Sequence, residues 1–365
     1  MKNTDYPMLE VDLKKIFHNG KKVMHMCEEN SIEICAVVKG SDSSSKVANT
    51  LTKAGCKSIG DSRIEKIAKM KEEGVTAQML LLRLPMLCEI EEVVKYADIS
   101  LNSEMNTLLA LNKESIKQDK IHKVILMMDL GDLREGFFSK DEILKTALEV
   151  EKNMAGLHLY GVGTNLGCYG SIRPSKTNLT ELVEISKEIE AIIDRKLEVI
   201  SGGATSSLPL IMDNEMPKGI NHLRVGEGIL LSRDLKDVWG YEMKGFENTN
   251  FTLKAQVIEI KEKPSYPIGE IFIDAFGNRP QYQDRGMRKR ALLAIGKKDI
   301  GHHDSLIPKD EGVTVEGSSS DHLIVDITDS IKDTNIGDIM EFDMYYQAML
   351  YLASSSSVKK VYIDL

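Results

Sequence analysis

Ile34-Cys35-Ala36-Val37-Val38-Lys39-Gly40 is the stretch on which the reading of this chain turns. An unbroken apolar run meets one lysine, and a Gly/Ser/Asp turn follows at once. Such a run, bounded by turn residues, reads as a strand buried on both faces, the kind found in parallel sheets. A lysine at its C-terminal end is costly to strip of water, and desolvation lowers its pKa. A neutral amine of that kind is what Schiff-base chemistry uses. A lysine marking the strand end and pointing into solvent is the plainer alternative.

Working outward, similar apolar runs recur at 34–39, 58–61, 79–82, 98–101, 124–130, 159–165, 198–203 and 222–229. Amphipathic stretches separate them, among them Ser62–Glu73, Lys140–Glu151 and Asn178–Arg195, the last with a helix start near Thr177/Thr180. Strands alternating with helices over eight repeats predict an α/β fold, an N-terminal (β/α)8 TIM barrel. Upstream, Leu9–Leu13 alternates as a half-buried strand and leads into a helix. Beyond Trp239 the texture changes. Alternating runs at Phe251–Ile260, Glu270–Asp274, Arg290–Ile295, Leu323–Ile327 and Asp338–Phe342 predict a C-terminal β-rich domain, with one late helix at Tyr345–Ala353. The expected domains are 1–245 and 246–365, with residues 1–12 free to join the second.

At 365 residues the chain is long enough for both domains, and 42% hydrophobic with 28% charged residues is ordinary globular composition. A net charge of -9 argues against a nucleic-acid surface, which needs a concentrated basic face. No apolar run approaches bilayer-spanning length, and MKNTDYPMLEVDLKK lacks a signal-peptide core, so no membrane association and a cytoplasmic location are expected. Cys27, Cys35, Cys56, Cys88 and Cys168 are odd in number and scattered, as in reducing compartments. They form no metal spacing, and His302-His303 are adjacent rather than spaced, so no metal is expected.

Barrels of this class carry chemistry at the C-terminal strand ends. Those ends offer Lys39, then Asp129 to Gly136 (DLGDLREG), Gly163-Thr164-Asn165, Ser201-Gly202-Gly203-Ala204-Thr205-Ser206-Ser207 and Arg224-Val225-Gly226-Glu227-Gly228. The last two clusters look like halves of a phosphate cup, since small residues let backbone N–H groups approach an anion. Arg224 beside the cup would serve an aromatic ring nitrogen without protonating it, which favours plain proton transfer. A rim salt bridge to Glu227 or Asp213 is its structural alternative.

Together these residues resemble the fold-type III pyridoxal-phosphate enzymes of the alanine racemase family. The likeness runs from Val11-Asp12-Leu13 through Val37-Val38-Lys39, Asp129-x-Gly-x-x-Arg134-x-Gly136 and Arg224-x-Gly226 to Ser320–Asp326. Within that family, Asp61-Ser62-Arg63-Ile64-Glu65, DLGDLREG and Phe276-Gly277-Asn278-x-Pro280 are similar to the ornithine racemase branch. The resemblance implies pyridoxal 5'-phosphate as cofactor and a homodimer with shared active sites. Its implied reaction is the interconversion of L- and D-ornithine by two-base proton transfer. It implies Lys39 as Schiff-base lysine and one base. Arg224 would contact the pyridine nitrogen, Thr205, Ser206, Gly226, Glu227 and Tyr346 the phosphate, and Arg134 the substrate carboxylate.

The chain departs from the family pattern where a tyrosine base is expected, since Phe276 stands there, and Asn165 stands where a ring-stacking histidine belongs. The second proton carrier is open among His322, Asp321, Cys168, Tyr169 and Tyr282, with His322 favoured because imidazole works near neutral pH. Racemisation of alanine, lysine or serine, or another reaction on the same fold, is the alternative. A barrel-only cofactor carrier would lack the residues after 250, and a decarboxylase of this fold carries a late cysteine that is missing here. A diamino acid needs an acidic partner for its distal ammonium, and Asp42, Asp61, Glu135, Asp299 and Asp321 are all available.

Overall fold

The computed structural model describes residues 5 to 364. Its barrel consists of β2 (Glu33–Val37), β3 (Ser58–Asp61), β4 (Gln78–Leu81), β5 (Ile99–Asn102), β6 (His122–Met127), β7 (Leu157–Gly163), β8 (Val199–Ser201) and β9 (His222–Val225), following an N-terminal β1 (Met8–Asp12). The strands β2 to β9 close in sequence order, and β2 pairs in parallel with both β3 and β9. The α/β barrel expected from the sequence is thus present.

Nearly every barrel-strand residue is buried, which is why these strands read as continuous apolar runs rather than alternating ones. Cys35, Leu80, Ile99, Leu101, Ile125, Met127 and Val199 meet in one cluster, alternate residues of β5 and β6 among them. Each large side chain so buried stabilises the barrel by about 1.5–3 kcal/mol.

Several boundaries differ from expectation. The first barrel strand stops at Val37, and Lys39–Ser41 form a single helical turn. The last stops at Val225, and Glu227–Leu230 are helical instead of extended. The helix expected to begin near Thr177/Thr180 runs over Lys176–Ile193 and is capped by Ser175. Asn178 N–H donates to Ser175 Oγ at 3.3 Å while Asn178 Oδ1 accepts from Ser175 N at 2.9 Å. This reciprocal cap satisfies two end groups at once, which neither threonine does.

The second compact unit joins the described residues up to Lys15 to Asn248 and beyond, while Ile16–Glu247 form the barrel unit. It holds β10 (Phe251–Pro264), β11 (Met287–Leu293), β12 (Leu306–Pro308), β13 (Thr314–Ser318), β14 (Leu323–Asp326), β15 (Ile339–Met344) and β16 (Lys359–Ile363). Their order is β12-β15-β10-β11-β14-β13, and β1 pairs antiparallel to β10 and parallel to β16. The late helix spans Tyr346–Ser354. Glu270–Asp274, whose alternation suggested a strand, forms none. Its Phe272 is 72% exposed, and no neighbouring strand takes up the backbone groups.

Candidate active site

The turn after β2 sets Lys39 at the barrel mouth. Val38 C=O accepts from Ser41 N at 2.9 Å and from Ser41 Oγ at 2.8 Å. Behind the turn, Ser43 Oγ donates to Asp61 Oδ2, and Asp61 Oδ1 accepts from Arg63 N at 2.9 Å. Asp61 is 1% exposed, and burial pushes its carboxyl pKa up despite these bonds. Lys39 itself is exposed to solvent, yet it is partly stripped of water by the protein around it. That loss of hydration, and then the positive charge of Arg134, holds its pKa below the ordinary lysine range. Cys168, Asp61 and Glu135 oppose the shift, so all of these groups lie within electrostatic reach of the amine. A lysine so placed yields its proton more readily and can act as nucleophile or base.

The ends of β8 and β9 supply the anion-binding half. Among the described residues, no acceptor pairs with the amides of Gly203, Ala204, Thr205, Ser206, Gly226 or Glu227. A cluster of unpaired N–H groups at two adjacent strand ends is a backbone cradle for an anion. The hydroxyls are partly committed elsewhere. Ser206 Oγ donates to Leu166 C=O at 2.9 Å, and Thr205 Oγ1 accepts from Gly228 N at 3.1 Å, leaving its proton available. Thr164 Oγ1 and Asn165 Nδ2, at the end of β7, are buried without a partner.

The Glu227 side chain turns away from this cradle. Its Oε1 accepts from Arg233 N at 2.8 Å and Asp234 N at 3.0 Å, while Oε2 is buried and unpaired. Burial, then the Asp234 charge, pushes its pKa up to about 7. Between the unfolded value of 4.5 and about 7, the unfolded chain has lost the proton that the folded chain still holds, so stability falls as pH rises. Glu227→Gln keeps a carbonyl oxygen for both amides and removes the charge. We expect it to raise the melting temperature at pH 8, by at most roughly 3 kcal/mol in stability, and to change little at pH 4. A thermal melt at the two pH values checks this.

Arg224 lies on β9, buried, with Nη1 donating to Ser201 Oγ and Nη2 to Thr164 C=O at 2.8 Å. Burial brings its pKa down to about 10, which leaves it charged at neutral pH. The structure offers it neither Glu227 nor Asp213, the rim partners weighed from sequence; Asp213 accepts from Tyr241 Oη instead. Neighbouring His222 is buried too, and its pKa falls to about 3 through burial and then the Arg224 charge. With Arg224 occupying one lone pair of Ser201 Oγ, the serine proton is free for Nδ1 of that neutral imidazole, 2.8 Å away. Arg134, on the loop after β6, grips Glu135 with Nε and Nη2, one to each carboxylate oxygen.

His322, Asp321 and Tyr346 belong to the C-terminal unit. Asp321 pairs with Lys298 at 2.6 Å, and this partner holds its carboxyl below the usual range, so it carries no proton at neutral pH. His322 is exposed before β14, its N–H donating to Ser319 Oγ at 3.1 Å. Tyr346 is half-buried at the start of its helix. Phe276 sits in a turn closed by Asp274 Oδ1, which accepts from Phe276 N at 2.9 Å and Asn278 N at 2.8 Å, and the Lys297 ammonium lies 3.9 Å from its ring centre. His302, His303 and Asp304 cluster, but the two rings stack at 4.6 Å with 21° between planes. Their in-plane lone pairs run side by side and do not converge on one ion.

Residues 11–234 match the model for the alanine racemase N-terminal domain. The chain is also 43% identical over 355 residues to an ornithine racemase of Acetoanaerobium sticklandii, covering 97% of this chain and 99% of that one. The chain belongs to the alanine racemase family. A lysine racemase of Thermotoga maritima is 39% identical over 357 residues, covering 98% of each. Among solved structures, an alanine racemase of Clostridium difficile 630 superposes with a TM-score of 0.73 at 20% identity, covering 100% of this chain and 97% of that one. A D-threonine aldolase from Filomicrobium marinum also gives 0.73, at 14% identity, covering 96% and 88%. These two show the fold alone, and it hosts more than one reaction.

Within this family frame, sequence reasoning located Lys39, Arg134, Asn165, the cradle and Arg224 on the barrel unit. It missed the Ser43–Asp61 latch and Asp132, whose carboxylate accepts from backbone amides of the loop after β7. Both rest on hydrogen bonds between distant segments, with no local signal beyond a polar residue in a turn.

Proposed function

We propose that the chain is an ornithine racemase that works with pyridoxal 5'-phosphate at the barrel mouth. The observation that carries this reading is Lys39, with its depressed pKa, in the same mouth as a cradle of unpaired amides, on a chain so similar to an ornithine racemase. The residues fit the group. Lys39 offers the amine, the amides of Gly203–Ser206 with Gly226 and Glu227 face a phosphate, Arg224 offers a ring nitrogen a donor, and Asn165 Nδ2 has no other partner.

When bound, the cofactor withdraws electrons from the substrate Cα and makes its proton removable. Lys39 then takes or returns that proton on one face. Arg134 orients the substrate carboxylate. Arg224, held by Ser201 and Thr164, keeps its own proton, which suits a reversible proton transfer over chemistry needing a stronger electron sink. The opposite face requires a second carrier. We assign it to His322, because an imidazole can both take and return a proton, whereas Lys298 holds Asp321 in its ionised form and so poorly able to return one.

A diamino substrate needs an anion for its distal ammonium. Asp61 gives its oxygens to Ser43 and Arg63, Asp129 to the Gly131 and Leu133 amides, and Glu227 to Arg233 and Asp234. Asp42 pairs with Lys66 at 2.9 Å. In the C-terminal unit, Asp299 is buried and accepts from Ser355 Oγ at 2.7 Å. Glu135 spends nothing on backbone and lies within electrostatic reach of Lys39. Its partner is Arg134, the residue assigned to the substrate carboxylate, so a substrate that engages Arg134 would release Glu135 for the distal ammonium, and we assign it this role. Purified enzyme should racemise ornithine far faster than alanine, and Glu135→Gln should lower kcat/KM for ornithine by about 100-fold and for alanine, through the loosened Arg134 alone, by less than about tenfold. Equal wild-type rates on alanine and ornithine would refute the substrate reading; a faster rate on lysine would move it to the other diamino acid.

The protein also reads as a homodimer of the cytoplasm. No helix among the described residues is long and apolar enough to cross a membrane. The C-terminal unit presents Ile268, Phe272, Ile273 and Phe276 to solvent, apolar surface of the kind a second copy covers.

A further inference from the structure

The loop after β7 is organised around a carboxylate that belongs to a different strand end. Asp132, in the loop after β6, is 1% exposed. Its Oδ1 accepts from Gly167 N at 3.1 Å, Cys168 N at 3.3 Å and Ile172 N at 3.3 Å, and its Oδ2 from Tyr169 N at 3.0 Å. Its own backbone C=O accepts from Gly170 N at 2.9 Å. Residues 167 to 172 thus wrap one side chain much as a nest of amides wraps an anion.

The loop's other flank is tied to the cradle. Leu166 C=O accepts from Ser206 Oγ at 2.9 Å, and a Cβ placed on Gly167 would come within 3.1 Å of Ser206 Cβ. Asp132 therefore ties the segment after β6 to the one after β7, and the Leu166–Ser206 bond carries the tie on to the segment after β8. Cys168 rides on this loop and lies within electrostatic reach of Lys39, Arg134 and Arg224 alike. A charged carboxylate bonded to several amides forms stronger hydrogen bonds than neutral acceptors do, so the loop is held more firmly than its length alone would allow.

We propose that Asp132 is a positioning residue of the amino-acid site: its carboxylate fixes residues 167 to 172 as one wall of the barrel mouth and keeps Cys168 beside Lys39 and Arg134. The inference rests on reading the mouth as an amino-acid site. It has a geometric corollary at Gly170, where an added Cβ would fall 2.7 Å from the Asp132 carbonyl oxygen. Gly170→Ala should push the loop off its anchor without touching the carboxylate. Asp132→Asn turns one acceptor oxygen into an NH2 group that faces amide donors, with almost no change of volume.

Cys88 and Cys168 are the exposed cysteines, the other three being buried, so a Cys88→Ser background leaves Cys168 as the accessible thiol. In that background, with cofactor-loaded enzyme, ornithine should slow alkylation of Cys168 by iodoacetamide. Asp132→Asn and Gly170→Ala should each remove that protection. They should also raise KM for ornithine by about tenfold or more with kcat changed by less than about threefold. Unchanged KM and intact protection in either folded variant would overturn the proposal. Should Asp132→Asn yield no soluble protein, Gly170→Ala supplies both readouts. Absence of ornithine racemisation in the background enzyme itself would instead refute the functional reading, and the two failures are told apart in the same assay.

Discussion

Lys39→Ala should lower racemisation by about a thousandfold or more, because it removes the only group assigned to one face of the substrate and the nucleophile that holds the cofactor. The visible absorbance of covalently held cofactor should disappear with it. Lys39→Arg separates this account from a merely electrostatic role. A lysine present only as a cation would be replaced well by arginine, which stays charged under all conditions, whereas one valued for its available neutral amine would not. The depressed pKa of Lys39, owed to its loss of hydration and then to Arg134, points to the amine. We therefore expect Lys39→Arg to be nearly as inactive as Lys39→Ala, with the thermal melt of both close to wild type. Retention of the absorbance band in Lys39→Ala would refute the assignment.

Gly203→Val should weaken pyridoxal 5'-phosphate binding by about 100-fold, near 2.7 kcal/mol. Gly203 adopts φ +110°, a conformation that β-branched residues all but exclude. A Cβ there would also meet Ser207 Oγ at 2.8 Å, and that hydroxyl is pinned by its own bond to Gly202 C=O at 2.7 Å. The backbone has to move, and the amides of residues 203 to 206 move with it. Ser206→Ala is the contrast. Its proton already goes to Leu166, so its loss should change cofactor affinity by less than about fivefold. Titrating the cofactor-free variants with pyridoxal 5'-phosphate and following fluorescence gives both values. A Ser206→Ala effect as large as that of Gly203→Val would show that hydroxyls, not backbone amides, hold the phosphate.

The barrel was legible because its strands are buried on both faces. Val37-Val38-Lys39 and its counterparts announce themselves as apolar runs ending in Lys, Gly, Ser, Asp or Arg. The β domain was less so. Thr314–Ser318 is largely polar, and it and Lys359–Ile363 are both half-exposed, so their membership in the sheet depends on partners distant in the chain. Glu270–Asp274 erred the other way, since alternation without a neighbouring strand forms no ladder. In the site, residue types at strand ends pointed to Lys39, the glycine and hydroxyl clusters and Arg224. What Ser206 does with its proton, and where the Glu227 carboxylate turns, follow from contacts with Leu166 and with Arg233 and Asp234. Asp132 reads as one more polar residue in DLGDLREG until the loop 167 to 172 is seen folded around it.

On our proposal, this barrel mouth moves the Cα proton of ornithine between two opposed groups, Lys39 serving one face. The measurement that tests it most directly is the initial reaction of L-ornithine with cofactor-loaded enzyme in deuterium oxide, with D-ornithine and deuterium content followed together. We expect D-ornithine carrying deuterium at Cα, while the remaining L-ornithine stays largely protiated, because separate groups remove and return the proton. D-ornithine that retains the original proton would mean a single group serves both faces, and no D-ornithine at all would mean that this mouth does other chemistry.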